Sequence, residues 1–270
     1  MLTGKKIAFI GGGNMAEAII LGLMREDVGG GVCVAEIDQK RRDEITNRFP
    51  AVRVVEDANE AAAWGELVVL AVKPQQAAGL LDQLESVITT DKLVISIMAG
   101  ISSSKIEESL SPDCRVVRAM PNTPALIGAG ATAVSGGRKA SAADLDLVRK
   151  IFALIGCAVC IEEKQMDAVT ALSASGPGYV FTFIEALSDA GVKNGLPRDV
   201  ASRLAVQTVL GSARMILETG EHPAILKERV TSPGGTTIAG LHALENGSFR
   251  GVVMDAVDAA CRRSKELAGK

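Results

Sequence analysis

An apolar run over residues 5–10 stops abruptly at Gly11-Gly-Gly13-Asn-Met-Ala16, and this junction constrains the fold more than any other feature of the chain. A short apolar run of this kind reads as a buried strand, and helix-compatible sequence follows from Asn14 to about Met24. The spacing is G-x-G-x-x-A. The first glycine permits a tight turn, Gly13 lets a pyrophosphate approach the backbone, and Ala16 allows close helix–strand contact. A second strand, Val32–Ala35, ends at an acid, Glu36, at about the 20-residue distance expected of a ribose-binding carboxylate. The junction therefore predicts a dinucleotide site at the head of a parallel sheet.

The rest of the first half continues the alternation. Helical sequence over Asp38–Phe49 is followed by strands at Val52–Val55 and Leu67–Val72, with an Ala-rich helix between them. A helix at Leu80–Ile88 and strands at Leu93–Met98, Val116–Ala119, Ala131–Ser135 and Ala158–Ile161 follow. Strand–helix alternation predicts an α/β, doubly wound parallel sheet. Near residue 162 the pattern changes. Helical periodicity then covers Met166–Lys193, Arg198–Thr219, Pro223–Val230, Thr236–Glu245 and Phe249–Leu267. Two domains are expected, 1–162 and 163–270. The helices of the second are rich in Ala, Val and Leu on more than one face, which predicts burial against a second copy.

Composition narrows the function classes. Aromatic residues are 3% of the chain, so the core must be aliphatic; the net charge of −3 argues against a general nucleic-acid surface. No apolar run reaches the roughly 20 residues needed to span a bilayer. Five cysteines, with no signal peptide, point to a reducing compartment, the cytoplasm. Cys157 and Cys160 form a CxxC pair, but only His222 and His242 are present to complete a zinc set. No metal is expected, and the pair reads as two small apolar residues in a buried strand.

A second glycine turn, Val230-Thr-Ser-Pro-Gly-Gly-Thr-Thr-Ile238, runs straight into a helix. Such a turn offers backbone N–H groups and the positive end of a helix dipole to a small anion. Its hydroxyl residues also suit an ordinary helix cap. Lys40, Arg41 and Arg42 start the helix after Glu36, where they either reach a ribose 2′-phosphate or lie solvated. Glu36 itself would bind both ribose hydroxyls and repel that phosphate, so the sequence leans to NADH without excluding NADPH.

The segments FIGGGNMAEAI, LAVKPQ (70–75), RAMPNTPALIGAGATA (118–133), SASGPGYVF (173–181) and VTSPGGTTIAGL (230–241) occur in that order. Together they resemble the pyrroline-5-carboxylate reductase family across essentially the whole chain. The resemblance implies a Rossmann-like N-terminal domain, an all-α C-terminal dimerisation domain and often a pentamer of dimers. It implies NAD(P)H as cofactor, commonly NADPH, and 1-pyrroline-5-carboxylate and L-proline as substrate and product. By that likeness Gly11, Gly12, Gly13, Asn14 and Met15 would hold the pyrophosphate. Ala71, Val72, Lys73 and Pro74 would line the cofactor groove. Ala99, Gly100 and Asn122 would lie near the nicotinamide. Glu36 falls where NADPH-using members carry a small hydroxyl residue. Where members place an asparagine this chain has Ala58, and Asn59 is one residue off.

Reduction of a cyclic imine needs hydride at carbon and a proton at nitrogen, so the protein's tasks are positioning and electrostatics. The 230–238 turn would hold the substrate carboxylate through Ser232, Gly234, Gly235, Thr236 and Thr237, with the N–H groups of Gly235, Thr236 and Thr237 aimed at it. Thr237, by family position, would be the catalytic partner of the ring nitrogen, orienting it or relaying a proton from water. Lys73 either contacts the cofactor or shapes its loop. His222 would cap a surface helix. Gly176-Pro-Gly178 should kink the first long helix. Because the turn lies in the helical domain, dimerisation would be needed to complete the active site. Two other readings share parts of this pattern: a related imine or β-hydroxyacid reductase, and a non-catalytic NAD(P)-sensing protein. The first would place a lysine base on the interdomain helix, where Lys164 is the nearest; the second has no need of the anion-binding turn.

Overall fold

The computed structural model describes residues 2, 4–26 and 28–269. The chain divides into two compact units: the residues through Ser175 together with those from Ala260 on, and Gly176–Ala259.

The first unit is built on one eight-stranded sheet. Its strands are β1 (Ile7–Ile10), β2 (Val32–Ala35), β3 (Arg53–Val55), β4 (Leu67–Leu70), β5 (Leu93–Ser96), β6 (Arg115–Met120), β7 (Gly130–Gly136) and β8 (Gly156–Cys160). The order is β3-β2-β1-β4-β5-β6-β7-β8. Ile7 stands in register with Val32 on one side and Leu67 on the other. Helices cover both faces, which is why the central strands are apolar without alternation. Ile7 and Phe9 pack with α1 (Asn14–Arg25) and α6 (Ala142–Ala153). Ala8 and Ile10 point the other way, into a core shared with α3 (Ala58–Trp64), α4 (Ala77–Leu84) and α5 (Ser103–Leu110). The helix α2 (Gln39–Arg48) starts at Asp38, whose carboxylate accepts the Lys40 and Arg41 N–H groups.

Two details differ from the expected parallel sheet with a buried CxxC. β6 and β7 are antiparallel. The segment joining them holds only a 3-10 turn, Thr123–Ile127, too short for the crossover that parallel pairing demands. β8 pairs only with β7, at the sheet edge, and Cys157 and Cys160 are exposed there. Three residues apart on a strand, they also point to opposite faces and cannot bridge. Among the described residues no group of three or more His, Cys, Asp or Glu is arranged to hold a metal.

The expected long helix from Met166 is broken by more than a kink. A single turn, α7 (Met166–Val169), runs into a π-helical turn, Thr170–Ala174, in which the Ser175 N–H donates to the Thr170 carbonyl. The helix restarts as α8 (Gly176–Lys193). Pro177 thus sits in a first helical turn, where its missing N–H costs nothing.

The second unit holds α8, α9 (Arg198–Thr219), α10 (Pro223–Arg229), α11 (Thr236–Asn246) and most of α12 (Phe249–Leu267). His222 caps α10 as expected, its Nδ1 accepting the Ala224 N–H at 3.2 Å. Few side chains here are buried; Ala201 and Ala205 are the hydrophobic ones. Phe181, Leu217 and Met254 are 64, 83 and 67% exposed. The last turns of α12 belong to the first unit, where the Ser264 hydroxyl donates to buried Asp167 at 2.8 Å. Among the described residues no helix is long and apolar enough to cross a membrane.

Candidate active site

The first unit carries a groove of about 480 Å³ at the C-terminal ends of β1, β2 and β4. Of the residues expected to bind a dinucleotide, Gly11, Gly13, Glu36, Ala71, Val72 and Lys73 line it. Gly12, Asn14, Met15, Pro74, Ala99, Gly100 and Asn122 do not form its wall. Gly11 is fixed by its surroundings: its φ is +103°, and a Cβ there would lie 2.7 Å from the Ala71 carbonyl oxygen. Its N–H donates to Ala35 O at 2.8 Å, and Ala71 N–H donates to Ile10 O at the same distance, so the turn is strapped to both neighbouring strands. Beyond it α1 starts at Gly13 without any side-chain cap. The N–H groups of Asn14, Met15 and Ala16 therefore have no partner among the described residues, while space at the Gly13 Cβ position is open. An open cradle of free amides at a helix N-terminus suits a pyrophosphate.

Glu36 closes β2 at the groove wall. Its carboxylate accepts N–H from Gly12 at 2.9 Å and from Asp38 at 3.0 Å. The two arginines behind it are neither solvated nor free. Arg41 Nε donates to Gly12 O at 2.7 Å, and its guanidinium also pairs with Glu44 and Glu17. Arg42 donates to the carbonyls of Glu36 and Ile37 at 2.8 and 2.9 Å. Only Lys40, of the three cations, stays exposed with no side-chain partner among the described residues. Sequence reasoning missed Ile37, a groove residue 75% exposed; a large apolar residue just after the acid was the available signal. Ala58 lines the groove and Asn59 does not; the Asn59 Oδ1 is buried without a partner among the described residues. Lys73 is exposed at the start of the Pro74–Gln76 turn, its N–H donating to Gln76 Oε1 at 3.3 Å.

Asn122 is buried and its carboxamide is largely engaged within the protein. Oδ1 accepts the Ala131 N–H at 2.8 Å, and Nδ2 donates to the Ser173 carbonyl, in the π turn, at 3.0 Å.

The second unit carries the glycine turn that the sequence offers as an anion site. Ser232-Pro-Gly-Gly235 forms a turn closed by the Gly235 N–H donating to Ser232 O at 3.1 Å. Proline at its second position and Gly234 at φ +65° in its third make it type II. A Cβ at Gly235 would meet Ser232 Oγ at 2.3 Å, so a side chain there requires the Ser232 hydroxyl to move. The closing bond corrects one expectation: the Gly235 amide is taken by the turn and is not aimed at an anion. Those of Thr236, Thr237 and Ile238 have no partner among the described residues. Gly235 is the N-cap of α11 and no side chain caps it. The hydroxyls of Ser232, Thr236 and Thr237 make no hydrogen bond within the described residues, so the helix-cap reading of this segment fails. A hollow on one face of α11 is lined by Gly234, Gly235 and His242, but not by Thr237.

Known proteins match nearly the full length of the chain. A family model described as pyrroline-5-carboxylate reductase dimerisation matches residues 163–267. A second, described as NADP oxidoreductase coenzyme F420-dependent, matches residues 6–100. A pyrroline-5-carboxylate reductase from Synechocystis is 47% identical, covering 98% of this chain and 99% of its own. That of Arabidopsis thaliana is 44% identical over 97% and 95%. Among solved structures, a pyrroline-5-carboxylate reductase from Coxiella burnetii matches with a TM-score of 0.93 at 38% identity, covering 97% and 98% of the two chains. The Plasmodium falciparum pyrroline carboxylate reductase, with NADP bound, matches at 0.87 and 35%, over 98% of each chain. An apolar strand ending in an open amide cradle, an uncapped helix behind a type II turn, and full-length identity at this level identify the chain as a member of the pyrroline-5-carboxylate reductase family.

Proposed function

We propose that the chain reduces the cyclic imine 1-pyrroline-5-carboxylate to L-proline with NAD(P)H, the last step of proline biosynthesis, in the cytoplasm. The observation that carries this reading is the uncapped start of α11: behind a rigid turn stand three amides and a Thr237 hydroxyl with no partner among the described residues. Residues 1–162 serve as the cofactor half and 163–270 as the substrate and dimerisation half. The amides of Thr236 and Thr237 hold the substrate carboxylate, with Ser232 and the backbone freedom of Gly234 and Gly235 shaping the approach. Thr237 Oγ1 orients the ring nitrogen; a threonine hydroxyl can donate to the imine and accept from its protonated form. A bound nicotinamide supplies the hydride. The chain supplies the amides at Asn14 and Met15 for the pyrophosphate, and Glu36 for the ribose.

Glu36 makes NADH the preferred cofactor. Its carboxylate faces the groove, and Arg41 and Arg42, which would otherwise neutralise a 2′-phosphate, are held by carbonyls and acids of the protein. The active form is a homodimer through the helical domain, assembled as five dimers, and dimerisation completes the active site.

A steady-state assay of the imine with both cofactors tests the whole reading, and no turnover by folded protein would sink it. Thr237→Ala should lower kcat while leaving cofactor binding intact; equal loss of both would make Thr237 structural. The kcat/KM ratio should favour NADH. Glu36→Gln should move that ratio toward NADPH by about tenfold, from the removal of one like charge. A wild-type preference for NADPH refutes the role given to Glu36.

A further inference from the structure

Arg118 heads the RAMPNTP segment and has no part in the proposed reduction. It is 5% exposed, in the sheet interior, where an unpaired guanidinium is strongly disfavoured. Its register neighbours are small and polar: Ser96 on β5 and Ser135 on β7. Its partner is Glu163, just after β8, whose Oε1 accepts from Arg118 at 2.8 Å. The same carboxylate receives the Ser103 N–H at 2.7 Å and, through its other oxygen, the Ser103 hydroxyl. Burial alone would raise the Glu163 pKa, but the Ser103 hydroxyl, the Ser103 amide and Arg118 together lower it below the ordinary range.

One acid thus joins three elements. Ser103 is the first residue of α5, directly after the loop 97–102 that carries Ala99 and Gly100. Arg118 lies two residues before the end of β6, after which Pro121 and Asn122 follow. Both segments are those the family likeness places beside the nicotinamide.

We infer that Glu163 is a positioning residue for the reduction: through Arg118 and Ser103 it holds the 97–102 loop and the β6 end in the register that presents the nicotinamide to the imine. This rests on the function proposed above only in its choice of reaction. Glu163 acts through Arg118 and Ser103 and is assigned no contact with substrate or cofactor. Its loss should act on the reacting geometry while the pyrophosphate cradle at Gly11–Met15 stays intact.

The test uses the full chain with Glu163→Gln, Arg118→Gln, the double variant, and Ser103→Ala. Glu163→Gln should lower kcat by about 10–100-fold, the scale of a small misplacement at the reacting centre. The cofactor KM should stay within about threefold of wild type. The isotope effect with nicotinamide deuterated at C4 should rise as hydride transfer becomes rate-limiting, which a merely structural role would not cause. The double variant should be no slower than the slower single one, because both changes break one contact. Ser103→Ala keeps the ion pair and the amide bond, so it should fold, and should lose about threefold in kcat. It carries the test if Glu163→Gln does not fold. Wild-type kcat and isotope effect in Ser103→Ala and in folded Glu163→Gln, or independent additive losses in the double variant, would overturn the inference. If wild-type protein fails to reduce the imine, the proposed function falls alone. The latch is then judged by the fluorescence of bound NADH, which should change in Ser103→Ala and Glu163→Gln; an unchanged spectrum overturns it.

Discussion

The two compact units solve the problem of stability differently. The first buries both faces of its sheet within one chain; Phe9, Ile95 and Phe152 are essentially inaccessible. The second, of five helices, buries almost nothing apolar by itself, and most of the large exposed hydrophobic residues of the chain lie in it. A layered α/β sheet can finish its own core. A small set of helices with apolar residues on several faces cannot, and under the proposed function a second copy supplies the missing surface. The match of residues 163–267 to a dimerisation family agrees with a homo-oligomer.

The sharpest way to break this contrast is to charge the exposed face. Leu210→Asp, on α9, is expected to dissociate the assembly. A twofold interface meets the change twice, which makes the cost about 4–8 kcal/mol at roughly 2–4 per copy. Sedimentation should show smaller particles without turnover, whereas NADH binding to the first unit should persist. A fully associated variant would show that this face is not the interface.

The next largest effect falls on the other unit. Phe9→Ala should destabilise it by about 3–5 kcal/mol, read by chemical denaturation, with the oligomeric state of the folded fraction unchanged. A loss below about 1 kcal/mol would mean the core repacks around the gap.

Gly11→Ala and Gly235→Ala probe the two turns. At Gly11 the new methyl meets backbone and the left-handed φ, so a loss of about 1–3 kcal/mol should appear as weakened cofactor binding. At Gly235 φ is ordinary and the obstacle is the Ser232 side chain, so the effect should be smaller and fall on the imine KM. Reversed readouts would exchange the roles assigned to the turns.

The smallest change is chemical. Burial pushes the thiols of Cys33 and Cys114 up to about 11. A thiol reagent at pH 8 should label Cys157 and Cys160 in native protein, and Cys33 and Cys114 only after denaturation, as mass spectrometry would show. Rapid native labelling of Cys33 would mean that the sheet of the first unit opens readily.

Much of this was legible in the sequence where local pattern decides structure. The Lys6–Ile10 run, its glycine turn and α1 are specified by residues adjacent in the chain, and so is the Pro233–Gly234 turn before α11. What escaped was decided by distant partners. Whether β7 runs with or against β6, and whether Cys157 and Cys160 face solvent, depends on strand order and on β8 being an edge. The π turn at Thr170–Ala174 keeps helical periodicity and differs only in which carbonyl an amide meets. The engagement of Arg41 by Gly12 O joins residues on separate elements, so it left no mark on local spacing.

The type II turn at Ser232–Gly235 has a further consequence. Its proline and its closing hydrogen bond fix the backbone during folding, so the ordering entropy, about 1–2 kcal/mol per residue, is already lost before any ligand arrives. Under the proposed function, amides held so rigidly behind the turn at the start of α11 accept small carboxylates without much regard for what they are attached to. Under the proposed function, selection among related acids must then fall on the surroundings of the ring nitrogen, and product acids should compete with substrate for the same amides.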